Sequence, residues 1–282
     1  MTYTPVTTNP PSLNTTSVVP KEHRSPGARS PGDNIRAVPA VLRSEWLKVS
    51  SLRSHQAVLA LTTLVGAFVS WAVATFVTDE VLTATEVFTY STVLTAVVAS
   101  VAGVLLFTSE AQHGTLSATL TVQPARWVVA LAKTVTAAAY GLVLGAAGMA
   151  AGLGGALVSG LDLGDTSGMA VTTLWALLYT ALAAVLGLGI GMIVRHGAAA
   201  ISGLLVWGFV VENLLNLFMS PQISRFLPFI AGDALLAIDS DTATAESVAV
   251  ALTRTQDALV FGGYAVVTLI IGTFLLHRRD TN

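Results

Sequence analysis

Residues 109–133, SEAQHGTLSATLTVQPARWVVALAK, gather Glu110, His113, Arg126 and Lys133 around Gly114, Thr115 and Pro124. A second grouping lies in WGFVVENLLNLF, where Glu212 is followed by Asn213 and, one helical turn on, Asn216. Neither makes a hydrolytic centre. A phosphate-cradling loop needs Gly-Lys-Ser or Gly-Lys-Thr, and the only lysines, Lys21, Lys48 and Lys133, follow Pro20, Leu47 and Ala132. A zinc protease needs His-Glu-x-x-His, which none of His23, His55, His113, His196 and His277 provides. With no cysteine there is neither a disulfide nor a thiolate metal site. The chain is therefore expected to carry no catalytic centre, metal or cofactor of its own, and no nucleic-acid partner is expected.

The elements that hold these residues follow from composition. Of 282 residues 53% are hydrophobic and 11% charged, and the mean hydropathy is +0.72. Uninterrupted apolar runs reach the ~20 residues that cross a ~30 Å hydrocarbon layer. The expected fold is an all-α membrane protein with six transmembrane helices, at about 56–77, 87–108, 132–158, 169–194, 197–218 and 258–276. Residues 1–38 hold six prolines among Ser, Thr and Asn and predict a disordered tail. Residues 39–55 predict an amphipathic helix in the membrane interface, with Leu42, Trp46, Val49 and Leu52 at helical spacing and Arg43, Glu45, Lys48 and Arg53 on the other faces. Twelve of the fourteen basic residues fall on the side of the two termini, with only Arg225 and Arg254 opposite. The positive-inside rule makes that side, and both termini, cytoplasmic. Gly141, Gly145, Gly148 and Gly152, with Gly187, Gly189 and Gly191, predict close packing of the third and fourth spans.

On this topology the 109–133 loop projects from the cytoplasmic face, although a simple connection needs only a few residues. Leu116 and Leu120, one turn apart, predict a short helix that Pro124 ends, and Arg126, Trp127 and Lys133 suit an anchor at the foot of the third span. The pattern Glu110, Gly114, Thr115, Leu116, Leu120, Pro124, Arg126, Lys133 resembles the motif between the second and third spans of ABC-2 type transporter permeases. The upstream RSEWLKVSSLRS, with Glu45, Trp46, Lys48 and Arg53, is similar to that family's amphipathic connecting helix. The likeness covers residues 38–279, so the six-span domain is 56–279, with coupling loop 109–133 and outer loop 219–257.

What the resemblance implies is the permease subunit of an ABC exporter in a bacterial cell membrane. The loop's helix would be the coupling helix, seated in a separate ATPase subunit that binds the ATP and Mg. A second permease subunit, identical or related, would complete the path, with membrane lipid around both. Glu110 would orient the loop, Gly114 would permit a tight approach before Thr115, Leu116 and Leu120 would be apolar contacts, and Arg126 would meet lipid phosphate or an acidic ATPase residue. Gln112 and His113 stand where many members have a basic residue.

An acid within a span costs on the order of 2.5 to 3.5 kcal/mol if it faces lipid, which makes Glu212, with Asn213 and Asn216, the candidate for the translocation path. In the outer loop, PQISRFLPFIAGDALLAI is apolar with two prolines and resembles the short re-entrant helices of similar exporters. Two other functions compete. A proton-coupled secondary transporter would use Glu212. A non-transporting immunity or sensing subunit would keep the coupling loop on the same fold.

Overall fold

The computed structural model describes residues 31–77, 82–236 and 248–279. Among them there is no strand, and six helices are long and apolar enough to cross a membrane. The chain is a multi-pass membrane protein. In chain order the spans are α2 (Arg53–Phe76), α4 (Tyr90–Gln112, entered through the one-turn α3, Ala84–Val87), α6 (Arg126–Val158), α7 (Met169–Val194), a fifth over Gly197–Phe218, and α12 (Arg254–Arg279). The fifth is composite: α8 (Gly197–Val206), a π-helical turn (Trp207–Val211) and α9 (Glu212–Phe218). Outside the spans lie α1 (Pro31–Ser51), α5 (Thr115–Val122), α10 (Pro221–Ser224) and α11 (Pro228–Ala234).

Burial orders these helices. In α4 and α7 67% of the apolar stretch is buried, against 17% to 22% in α2, the fifth span and α12, so α4 and α7 form the axis. Their closeness needs glycine. A Cβ on Gly103 would run into the Ala184 carbonyl, and one on Gly187 into the Ser100 carbonyl, so the two backbones are in contact. Apolar side chains gain little by leaving lipid for one another, and close backbone packing of this kind is what remains to hold helices together. Span three uses the same means: Gly141 and Gly145 meet Thr180 of α7, Gly148 meets Thr95 of α4, and Gly155 meets Ala67 of α2.

One end of the bundle, called here the α5 end, carries α1, α5 and the last turn of α12. Helix α1 starts at Pro31, inside the stretch expected to be a tail, and stops at Ser51; residues 1–30 lie outside the described residues. Pro31 suits a first helical position, where the missing N–H costs nothing. The helix packs chiefly on α6. Its buried stripe is Glu45 and Val49, with Leu42 half-buried, while Trp46 and Leu52 are exposed. An acid thus occupies the face expected to be apolar, because a buried lysine awaits it there.

Span three begins at Arg126, six residues before the expected 132, since Lys133 is a buried residue two turns inside the helix rather than an anchor at its foot. At the opposite, far end, α11 is inserted among the spans. Phe229, Leu235 and Leu236 are buried in the main core. Asp233 meets Tyr179, ten residues and about 15 Å along α7 from Met169.

Candidate functional site

At the α5 end four charged side chains from three helices close into a ring. Glu45 and Lys48 come from α1, Glu110 from the last turn of α4 and Lys133 from α6. Lys133 Nζ lies 2.8 Å from Glu45 Oε2 and 2.9 Å from Glu110 Oε1. Lys48 Nζ lies 2.6 Å from Glu45 Oε1 and 2.9 Å from the same Glu110 Oε1. Lys133 also donates to the Leu106 carbonyl at 3.3 Å. Lys133 is 1% and Glu45 2% exposed. Isolated charges at that burial are untenable, and two acids with two bases make the ring neutral. Burial pulls the Lys48 ammonium down, but its hydrogen bonds to Glu45 and Glu110 outweigh this and hold it above the ordinary lysine value.

The ring fixes the mounting of α5. Glu110 belongs to the turn that leads into it, and the Glu110 carbonyl accepts from Thr115 Oγ1 at 3.4 Å. His113 Nδ1 lies 2.7 Å from the Ser109 carbonyl, which closes the end of α4. Gly114 then reverses the chain with φ +73°, a left-handed conformation that a side chain would strain. Around it the space is open, so glycine serves the turn and not a close approach. Leu116 is buried in the bundle's own core and Leu120 packs beside it, while Ser117, Ala118, Thr121 and Val122 are exposed. Pro124 sits between the end of α5 and Arg126, where α6 begins. At the end of α5, Gln123 Nε2 reaches Asn34 Oδ1 of α1 at 3.4 Å. Arg126 Nη1 donates to the carbonyls of Leu276 and His277, both at 2.8 Å, and so satisfies the end of the last span. Trp46 and Arg53 are exposed and join neither group.

The far end holds a second buried group. Glu212 is 1% exposed, and both its oxygens lie 2.9 Å from the Phe229 N–H at the start of α11. Trp207 Nε1 donates to Glu212 Oε1 at 3.3 Å. The π-helical turn sets this geometry: the Glu212 N–H bonds the Trp207 carbonyl five residues back, and Gly208 beneath the turn receives the Phe229 ring. Asn213 Nδ2 donates to the Gly208 and Phe209 carbonyls, each at 3.2 Å, tying off groups the turn displaces. Asn213 and Asn216 are exposed on the surface of α9, and neither hydrogen-bonds Glu212. Tyr179 Oη donates to Asp233 Oδ1 at 2.8 Å, and the Tyr179 ring meets Phe261 edge-on at 5.1 Å. Burial pushes the Asp233 carboxyl up to about 7, against the lowering effect of the Tyr179 hydrogen bond and with a further rise from nearby Glu212.

The structure therefore brings together Glu45, Lys48 and Glu110 and makes Lys133, expected as an anchor at the foot of span three, the hub of the ring. The signal for Lys133 was its place among apolar residues of a span, since an ionisable group there needs a partner. Tyr179 and Asp233, which nothing in the local sequence marked, complete the far group. No group of three or more His, Asp or Glu among the described residues could hold a metal ion. No family model and no curated protein matches the chain.

Proposed function

We propose that the chain is the permease subunit of an ABC exporter, acting with a separate ATPase subunit that docks on α5 and with a second permease subunit. The observation that carries this reading is the mounting of α5. A short helix with an exposed face stands between spans two and three, and the charge ring fixes its root to α1 and α6. A displacement of α5 cannot be absorbed locally, because its root shares Glu110 with Lys48 and Lys133. Closure of an ATPase dimer on ATP would therefore move α1, α4 and α6 together and open a path outward between two permeases. On this reading the α5 end and both termini are cytoplasmic, and the membrane is the bacterial cell membrane. The chain itself carries no nucleotide-binding motif, so the energy comes from the partner.

Support for a proton-coupled carrier built on Glu212 is weaker, because that carboxylate is committed to the Phe229 amide and the Trp207 indole. The exposed Asn213 and Asn216 would then be the groups that face the path or the second subunit. The test is co-purification from membranes with co-expressed ABC ATPase subunits of the same source. Wild type should bring the ATPase down in a stoichiometric complex. Ala118→Glu with Val122→Glu, on the exposed face of α5, should lose it while the permease stays monodisperse. A folded wild-type chain that binds no ATPase refutes the reading.

A further inference from the structure

A groove of about 290 Å³ lies between α7, α8 and α12, with Pro228 and Phe229 of α11 also lining it. We infer that this groove binds a single hydrocarbon chain that enters sideways from the bilayer.

Its walls are apolar: Ile190 of α7, Leu204 and Trp207 of the fifth span, and Phe229. The two hydroxyls on its border are already used. Tyr264 Oη donates to the Phe226 carbonyl at 3.1 Å, and Thr268 Oγ1 to the Tyr264 carbonyl at 2.9 Å. Water needs two to four polar partners to stay in such a space, and the groove does not offer them. The room exists because Ala199, Ala200 and Gly203 fall where larger side chains would fill it, and nothing lies within 4 Å of the place a Cβ on Gly203 would take.

The occupant is hydrocarbon because of what flanks the mouth. Val206 and Val210 on the fifth span and Val267 and Ile271 on α12, each three residues beyond a groove position, are exposed. In a membrane-spanning bundle such faces meet lipid tails. They are also bulky, so the helix of a second copy would be held off the recess, whereas close helix approach requires small residues at the contact. A flexible chain can pass between them. From Ala199 to Trp207 is eight residues, about 12 Å of helix. The 290 Å³ holds about ten groups at roughly 30 Å³ each, the share of a water and close to that of a methylene. Trp207 and Phe229, which line the groove, both donate an N–H to Glu212. A chain that fills the groove therefore touches the same rings that the carboxylate positions.

This inference rests on the membrane-spanning bundle and holds whether or not an ATPase binds α5. The test uses the purified full-length chain in nanodiscs of a single phospholipid, doped with the same lipid carrying a mid-chain diazirine. Labelled residues are mapped by peptide mass spectrometry. Labelling should concentrate on Ile190, Leu204, Trp207 and Tyr264, several-fold above the exposed face of α2. Gly203→Phe, and separately Ala199→Phe one turn away, should lower that labelling several-fold. Gly263→Phe, at a glycine with equally open surroundings outside the groove, should leave it unchanged. Labelling spread evenly over the exposed faces of α2, the fifth span and α12 overturns the inference, as does wild-type labelling in both filled variants. Cross-links from groove residues to a second copy of the chain would also overturn it, by making the recess a subunit interface.

Discussion

Replacing Lys133 with Met keeps most of the side-chain volume of span three and removes only the ammonium. The ring then holds two carboxylates and one lysine. Glu45, 2% exposed, keeps one ion pair of two, and the Leu106 carbonyl loses its donor. Breaking a buried pair by deleting one partner costs about 3 to 5 kcal/mol, because the remaining charge stays buried. At roughly 2 to 4 °C per kcal/mol for a domain of this size class, the thermal midpoint in detergent should fall on the order of 10 °C. Neutralising the stranded acid supplies the sign test. Lys133→Met with Glu45→Gln should be more stable than Lys133→Met alone, with a coupling energy of about 1 to 3 kcal/mol. Lys48→Met should cost less than Lys133→Met, since the Lys48 side chain is 37% exposed and Lys133 still pairs with both acids. Fluorescence-detected size exclusion after heating reads all five proteins, with Glu45→Gln alone included to close the cycle. A midpoint within a few degrees of wild type for Lys133→Met, or a double variant less stable than the single one, would show that the ring does not hold these helices together.

Other consequences follow from single contacts. Gly114→Ala forces a side chain into φ +73° and should cost about 1 to 2 kcal/mol of stability; protease nicking of α5 should rise, and an unchanged rate would mean the turn is not fixed by this glycine. Glu212→Leu leaves the Phe229 amide buried without its acceptor and should cost about 1 to 3 kcal/mol, whereas Glu212→Gln, which keeps one acceptor oxygen, should cost less. Equal midpoints for these two variants would remove the amide clamp as the reason for the burial of Glu212. The Asp233 carboxyl is raised from 3.8 to about 7, so its contribution to stability is full below about pH 4 and is lost as the pH rises through about 7. Between about pH 5 and pH 8 wild type should therefore lose stability relative to Asp233→Asn, and parallel pH curves for the two proteins would contradict this.

The spans were readable because nothing but a long apolar run can form them. Met169–Val194 and Gly197–Phe218 begin and end where hydropathy places them. The limits failed where a charge was taken as an edge. Lys133 ends the apolar run of span three when read alone, yet the helix begins seven residues earlier, at Arg126, because Glu45 and Glu110 neutralise the lysine from helices 88 and 23 residues away in sequence. The same long-range pairing put Glu45 in place of Trp46 on the buried face of α1, since no local pattern tells a paired acid from a solvated one. Glu212 was recognisable as an acid that could not face lipid. Its partner, a backbone N–H of α11, has no sequence signature, and neither has the π-helical turn that aims it. Arg126 illustrates the limit from another side: its charge suited an interface anchor, but its bonds are to the terminal carbonyls of α12, which only the packing of spans three and six brings near.

On the proposed function the exposed face of α5 meets an ATPase. The chain has no cysteine, so Val122→Cys provides a single attachment point on that face for a maleimide-benzophenone. Val158→Cys provides another, 83% exposed, at the far end of α6. After illumination of membranes holding both proteins, docking on α5 predicts a one-to-one adduct between this chain and the ATPase from Val122→Cys and none from Val158→Cys. No adduct from Val122→Cys in a folded chain, or equal adducts from both ends, would contradict it.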